Sequence, residues 1–87
     1  MASYRIEWKK SAAKELKSLP PAVVAEIVDR VTSLAEDPFP SGTKKLAGAE
    51  HMYRIRFSAY RVIYTVFKEN LLIEIVRVGH RQSVYKR

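Results

Sequence analysis

Cysteine is absent from this 87-residue chain. Disulfides and thiolate metal sites are therefore excluded, and the composition suits a reducing compartment such as the cytoplasm. Glycine is scarce as well. Gly42 and Gly48 stand isolated, so no glycine-rich loop is available to cradle a phosphate. Long apolar runs are missing too. The longest, YRVIYTVF, is broken by Arg61 and is strand-sized, far short of the ~20 residues of a membrane span. The opening MASYRIEWKK lacks the apolar stretch of a signal peptide. No set of His, Asp and Glu has metal-ligand spacing, and Ser83 and His80 have no acid to complete a hydrolytic triad. The expectation is one small domain over residues 1–87, with no membrane segment, metal or cofactor.

Acid is scarcest where base is richest. Residues 1–43 hold six Lys/Arg and six Asp/Glu, a sum of zero. Residues 44–87 hold ten Lys/Arg against Glu50, Glu69 and Glu74, a sum of +7, which is the whole net charge. Charge that served only solubility would not segregate in this way. A polyanionic partner is the natural reading, either nucleic acid or an acidic protein covering the same face.

The hydrophobic pattern changes period along the chain. SYRIEW (3–8) alternates as a strand, with Tyr4, Ile6 and Trp8 on one side. Ala12, Ala13, Leu16 and Leu19 then form a short helical stripe. PPAVVAEIVDRVTSLAEDP is the clearest helix: Pro21 suits its first position, and Val24, Ile27, Val28, Val31, Leu34 and Ala35 keep the helical spacing. The tight Leu19-Pro20 connection predicts an αα-hairpin. Residues 38–52 read as a loop. Strands follow at about 52–58, 60–67 and 71–78, turning at Ser58-Ala59 and Glu69-Asn70, and GHRQSVYKR trails as a tail. The class is α+β in the order β-α-α-β-β-β: helices cover one face of a mostly antiparallel sheet and leave the other open.

In YRIRF, Tyr53, Ile55 and Phe57 point one way, and Arg54 and Arg56 the other. Arg61 lies just past the turn, within cross-strand reach. Arg81 and Tyr85 follow the last strand. Arginines gathered on one face with so little acid would repel one another unless an anion joined them, which points to a phosphate site.

YRIRFSAYRVIY followed by VRVGHRQSVYKR resembles the RelE/ParE superfamily of type II toxin–antitoxin toxins, closest to its RelE-type branch. LKSLP and KKLAG extend the likeness over nearly the whole chain. The resemblance implies a RelE-like fold and an mRNA interferase that cuts mRNA in the ribosomal A site. No metal is used, because the RNA 2′-hydroxyl is the nucleophile. It implies an acidic antitoxin that neutralises the toxin, and operator DNA met only through the antitoxin complex. By this resemblance Arg54 and Arg56 match the basic pair of the first strand, Arg61 the arginine of the second and Arg81 the arginine after the VG step. Tyr85 matches the tyrosine that stacks on or orients a base. Lys44 and Lys45, with Lys86 and Arg87, extend the basic rim toward RNA or ribosome; for the loop lysines a plainly solvated role is the alternative.

The chemistry is intelligible in its own terms. A 2′-hydroxyl attack needs a base, charge stabilisation at phosphorus and an acid for the 5′-oxygen. Arginine's planar fork serves the second need, and each proton-transfer role is typically worth about 10²–10⁴ in rate. Where the RelE type has a lysine able to act as base, this chain has Arg56, and arginine is a poor base. His80 is the substitute, since histidine titrates near neutrality; the other reading is that it caps the strand end or packs under the tail. A second class of function is a ParE-type inhibitor of DNA gyrase with no nuclease activity, and a third is a basic RNA-binding module.

Overall fold

The computed structural model describes residues 3–80. Alternation at the start produces β1 (Arg5–Trp8), with Ile6 and Trp8 packed on the core and Arg5 and Glu7 exposed. The change of period then gives α1 (Lys10–Lys17) and α2 (Pro21–Ser33). Pro21 opens α2 as expected, since its missing N–H is not needed there. The strands that follow are β2 (Lys44–Lys45), β3 (Met52–Phe57), β4 (Tyr60–Phe67) and β5 (Leu72–His80).

The strands form one sheet in the order β1-β5-β4-β3-β2. β1 runs parallel to β5, and the other neighbours are antiparallel. The α+β class and element order are those anticipated, with three refinements. A two-residue strand, β2, lies inside the stretch read as loop and pairs Lys44 with Arg54 and Lys45 with Tyr53. β5 runs through His80 instead of ending near 78, because Tyr60 and Arg61 at the start of β4 continue the ladder to His80 and Gly79. The β4–β5 connection is a 3-10 turn over Lys68–Asn70 closed by Leu71 at a φ of 51°.

The core sits between the helices and one sheet face. Ala12 of α1, Ile27 and Val31 of α2, and Leu34 just beyond it meet Ile55, Val62, Tyr64, Val66, Ile73, Ile75 and Val78. The face of α2 that reaches the sheet runs through Val23, Ile27, Val31 and Leu34. Val28, counted in the apolar stripe, is 39% exposed. It lies one residue, about 100°, around the helix from Ile27. The Tyr64 hydroxyl donates a 2.7 Å hydrogen bond to the carbonyl of Pro38, fastening the loop after α2 to the centre of the sheet. No helix is long and apolar enough to cross a membrane among the described residues.

Candidate functional site: a cationic sheet face

The register of the sheet assembles the site. β3 sends Ile55 into the core, so Arg54 and Arg56 stand on the opposite face. Across the ladder, Arg54 faces Lys44 on one side and Ile63 on the other; Ile63 in turn faces Arg77. The next row on the same face is Arg56, Arg61 and Gly79. Four of the anticipated residues, Lys44, Arg54, Arg56 and Arg61, are thereby brought onto one face within two adjacent rows.

Their environments differ. Arg56 and Lys44 are exposed and Arg54 is half-buried. Arg61 is only 6% exposed, as is its neighbour Ile63, so the middle of this face is not open to water as the alternation alone suggested. Arginine stays protonated even there, so Arg61 is a fixed cation at the sheet centre. Lys45 faces Tyr53, whose ring packs against the core cluster, so the two loop lysines part to opposite faces.

His80 does not join the arginine rows. Its ladder partner is Tyr60, which packs against the core cluster and lies beside Phe57 in the ladder. The His80 ring meets that of Tyr60 edge to face, with centroids 5.8 Å apart and planes at 80°. His80 is exposed at the end of the sheet, one ladder row from Arg61. Arg81, Tyr85, Lys86 and Arg87 lie outside the described residues.

Residues that the sequence reading passed over join from α2. A cavity of about 680 Å³ opens between α2 and the β3–β2 end of the sheet, with Glu26, Asp29 and Arg30 on its helix side and Lys44, Arg54 and Arg56 on its sheet side. Arg30 pairs with Glu26 at 3.2 Å and lies 4.7 Å over the ring of Phe57. The signal was there: 26, 29, 30 and 33 follow the helical spacing on the polar side of α2. These residues carry no cationic excess: Glu26 and Asp29 outweigh Arg30, for a sum of −1. Among the described residues no group of three His, Cys, Asp or Glu could hold a metal ion. The arrangement offers fixed cations for a chain of phosphates and a pocket of nucleotide size beside them.

Residues 6–85 match the sequence profile of the ParE toxin of the type II toxin–antitoxin system, parDE. The chain is 30% identical over 88 residues to toxin RelG of Mycobacterium tuberculosis, covering 97% of this chain and 98% of that protein. It is 28% identical over 82 residues to the mRNA interferase toxin RelE of Escherichia coli, covering 92% and 85% of the two chains. Among solved structures, the archaeal RelE–RelB complex from Pyrococcus horikoshii superposes with a TM-score of 0.81 at 32% identity, covering 91% of this chain and 96% of that one.

Proposed function

The chain belongs to the RelE/ParE superfamily of type II toxin–antitoxin toxins, and on that premise we propose that it is a ribosome-dependent mRNA interferase. The observation that carries this reading is the shared face of Lys44, Arg54, Arg56 and Arg61. The named activity of the Escherichia coli relative supports it. In this reading Arg54, Arg56, Arg61 and Arg81 hold the scissile phosphate and stabilise the charge that grows on phosphorus. Tyr85 stacks on a base, a contact worth roughly 1–3 kcal/mol. Lys44, Lys86 and Arg87 contact the flanking RNA or the ribosome, and Lys45, on the other sheet face, is left to the ribosome. Arg56 acts electrostatically and cannot serve as base. His80 is the candidate base; to reach a 2′-hydroxyl on the arginine face it must leave the ring of Tyr60. The 2′-hydroxyl route needs no metal.

Residues 1–87 act as a single domain in the cytoplasm. The partner that silences it is an acidic antitoxin, whose disordered segment folds across the cationic face and displaces RNA. The RelE–RelB assembly of the archaeal relative supports such a partner. Operator DNA is met only through that complex.

The test is a primer-extension map of mRNA in a translating extract, with wild type, Arg81→Ala and His80→Ala. We expect new 5′ ends inside codons with wild type and a loss of about 10²-fold or more with Arg81→Ala, the cost of removing a donor to the developing charge. Loss with His80→Ala makes it the base, and retained cutting leaves it a strand-end residue. A second reading, inhibition of DNA gyrase without cleavage, draws on the ParE description of the matching family and on arginine at position 56. Growth arrest without new ends would select it.

A further inference from the structure

β1 accompanies β5 only to the Trp8–Ile75 pair. The Lys9 N–H adds one more bond, 3.0 Å to the carbonyl of Ile75, and the chain then turns away into α1. Among the described residues, β5 therefore has a strand on one side only from Val76 to His80. It is also irregular there: Ile63 faces Arg77 while Tyr64 faces Ile75, so Val76 is an extra residue in the ladder. A bulge at a one-sided strand end is a place where register and direction are easily lost.

A side chain from α1 fills the gap. Glu15 places one carboxylate oxygen 2.9 Å from the backbone N–H of Val78, which donates to it, and the other 3.0 Å from Nε of Arg77. Both oxygens are used, and both bonds are charge-assisted, the stronger class of hydrogen bond. The carboxylate thus substitutes for the missing strand over the two residues between the bulge and Gly79. Gly79 is the ladder partner of Arg61 and lies in the row of Arg56. What Glu15 holds is therefore the end of the strand that borders the cationic rows.

We propose that Glu15 is a positioning residue, whose bonds to Val78 and Arg77 fix the end of β5 against Arg61 and so set the geometry of the phosphate site. The proposal rests on the mRNA-interferase reading for its catalytic consequence. It predicts a defect of geometry: substrate still meets the cations, but the reacting groups stand out of line. A misplacement of about 1 Å can cost on the order of 10²-fold in rate.

The experiment compares wild type, Glu15→Gln and Glu15→Ala as purified full-length toxins. Steady-state cleavage on programmed ribosomes is measured together with backbone amide exchange at Val78. We expect Glu15→Ala to lower kcat by about tenfold or more with KM within about twofold, because ground-state contacts survive while alignment does not. Exchange at Val78 should rise at least about tenfold as the strand end opens locally. Glu15→Gln keeps an acceptor for the Val78 N–H, so it should recover most of the protection and part of kcat. A kcat for Glu15→Ala within about twofold of wild type overturns the proposal, as does a loss that merely tracks the folded fraction measured by circular dichroism. Should the wild type cut no RNA, the interferase reading fails by itself. Val78 exchange then decides the clasp alone, and unchanged protection in Glu15→Ala sinks it.

Discussion

At the scale of single residues, Tyr64 shows how a polar atom is used in a small core. Its ring is fully buried and its hydroxyl is spent on Pro38. Burial pushes the phenol's pKa above its ordinary value, with Tyr53 and Asp37 adding in the same direction against the pull of the Thr43 hydroxyl. Tyr64→Phe keeps the ring and orphans the carbonyl, so we expect a loss of about 1 kcal/mol and a melting temperature lower by roughly 4–8 °C. The pH dependence has a definite sign. The unfolded phenol loses its proton near pH ~10, and the folded one holds it to higher pH. The contribution of Tyr64 is therefore fully present below pH ~10 and is lost as pH rises through the folded pKa. Melting curves of both proteins up to about pH 11 should show the gap between them narrowing only above that point. A constant gap would mean that Tyr64 does not titrate differently on folding.

At the scale of elements, the β3–β4 hairpin turns through Ser58 and Ala59, with φ positive at Ser58 (57°) and not at Ala59. That pattern is the type II′ one, which favours glycine at the first central position. Ser58→Gly should raise stability by about 0.5–1 kcal/mol, read as a higher denaturation midpoint at unchanged slope. A lower midpoint would show that the Ser58 hydroxyl matters more than its backbone. The turn was legible in the sequence because two runs rich in aromatic and β-branched residues, YRIRF and YRVIY, flank it. The helices were legible from Pro21 and the apolar spacing, but the phase of α2 was not. Val24 and Val28 fit the same stripe as Ile27, and only contact with the sheet decides which side is buried. β2 escaped notice because two lysines in a loop carry no strand pattern; their pairing is set by β3. The arginine face could be read because its members share the period of two on β3 and sit opposite one another across a tight turn. The position of His80 could not be read, since it depends on the extra residue at Val76 and on β5 outlasting β1.

At the scale of the whole molecule, cations on one sheet face should act together on RNA. Lys44 lies opposite Arg54 on that face, and Lys45 opposite Tyr53 on the other. We therefore predict unequal effects from neighbouring lysines. Each of Lys44→Ala and Arg56→Ala should lower the slope of log affinity against log salt by about 0.7 for single-stranded RNA. Lys45→Ala should leave the slope unchanged. Fluorescence anisotropy with a labelled oligonucleotide between about 50 and 200 mM salt provides the readout. Equal slopes for the two lysine variants would place the RNA path outside the sheet face. The acidic helix side of the neighbouring cavity, Glu26 and Asp29, bounds that path and favours a ligand that presents its own donors there.

The parallel pairing of β1 with β5 also bears on the order in which the molecule comes into being. Arg5 meets Leu72, a separation of 67 positions (72 − 5). The first described strand thus has no partner until the last described strand exists. Meanwhile β3 and β4 already have each other, and their arginines can share a face. Long-range pairing of this kind is paid for in loop entropy before any contact returns it, and it slows folding. The sheet therefore closes from its middle outward, and the ribosome must carry the chain from Arg5 past Ile75 before β1 can lock β5 in place.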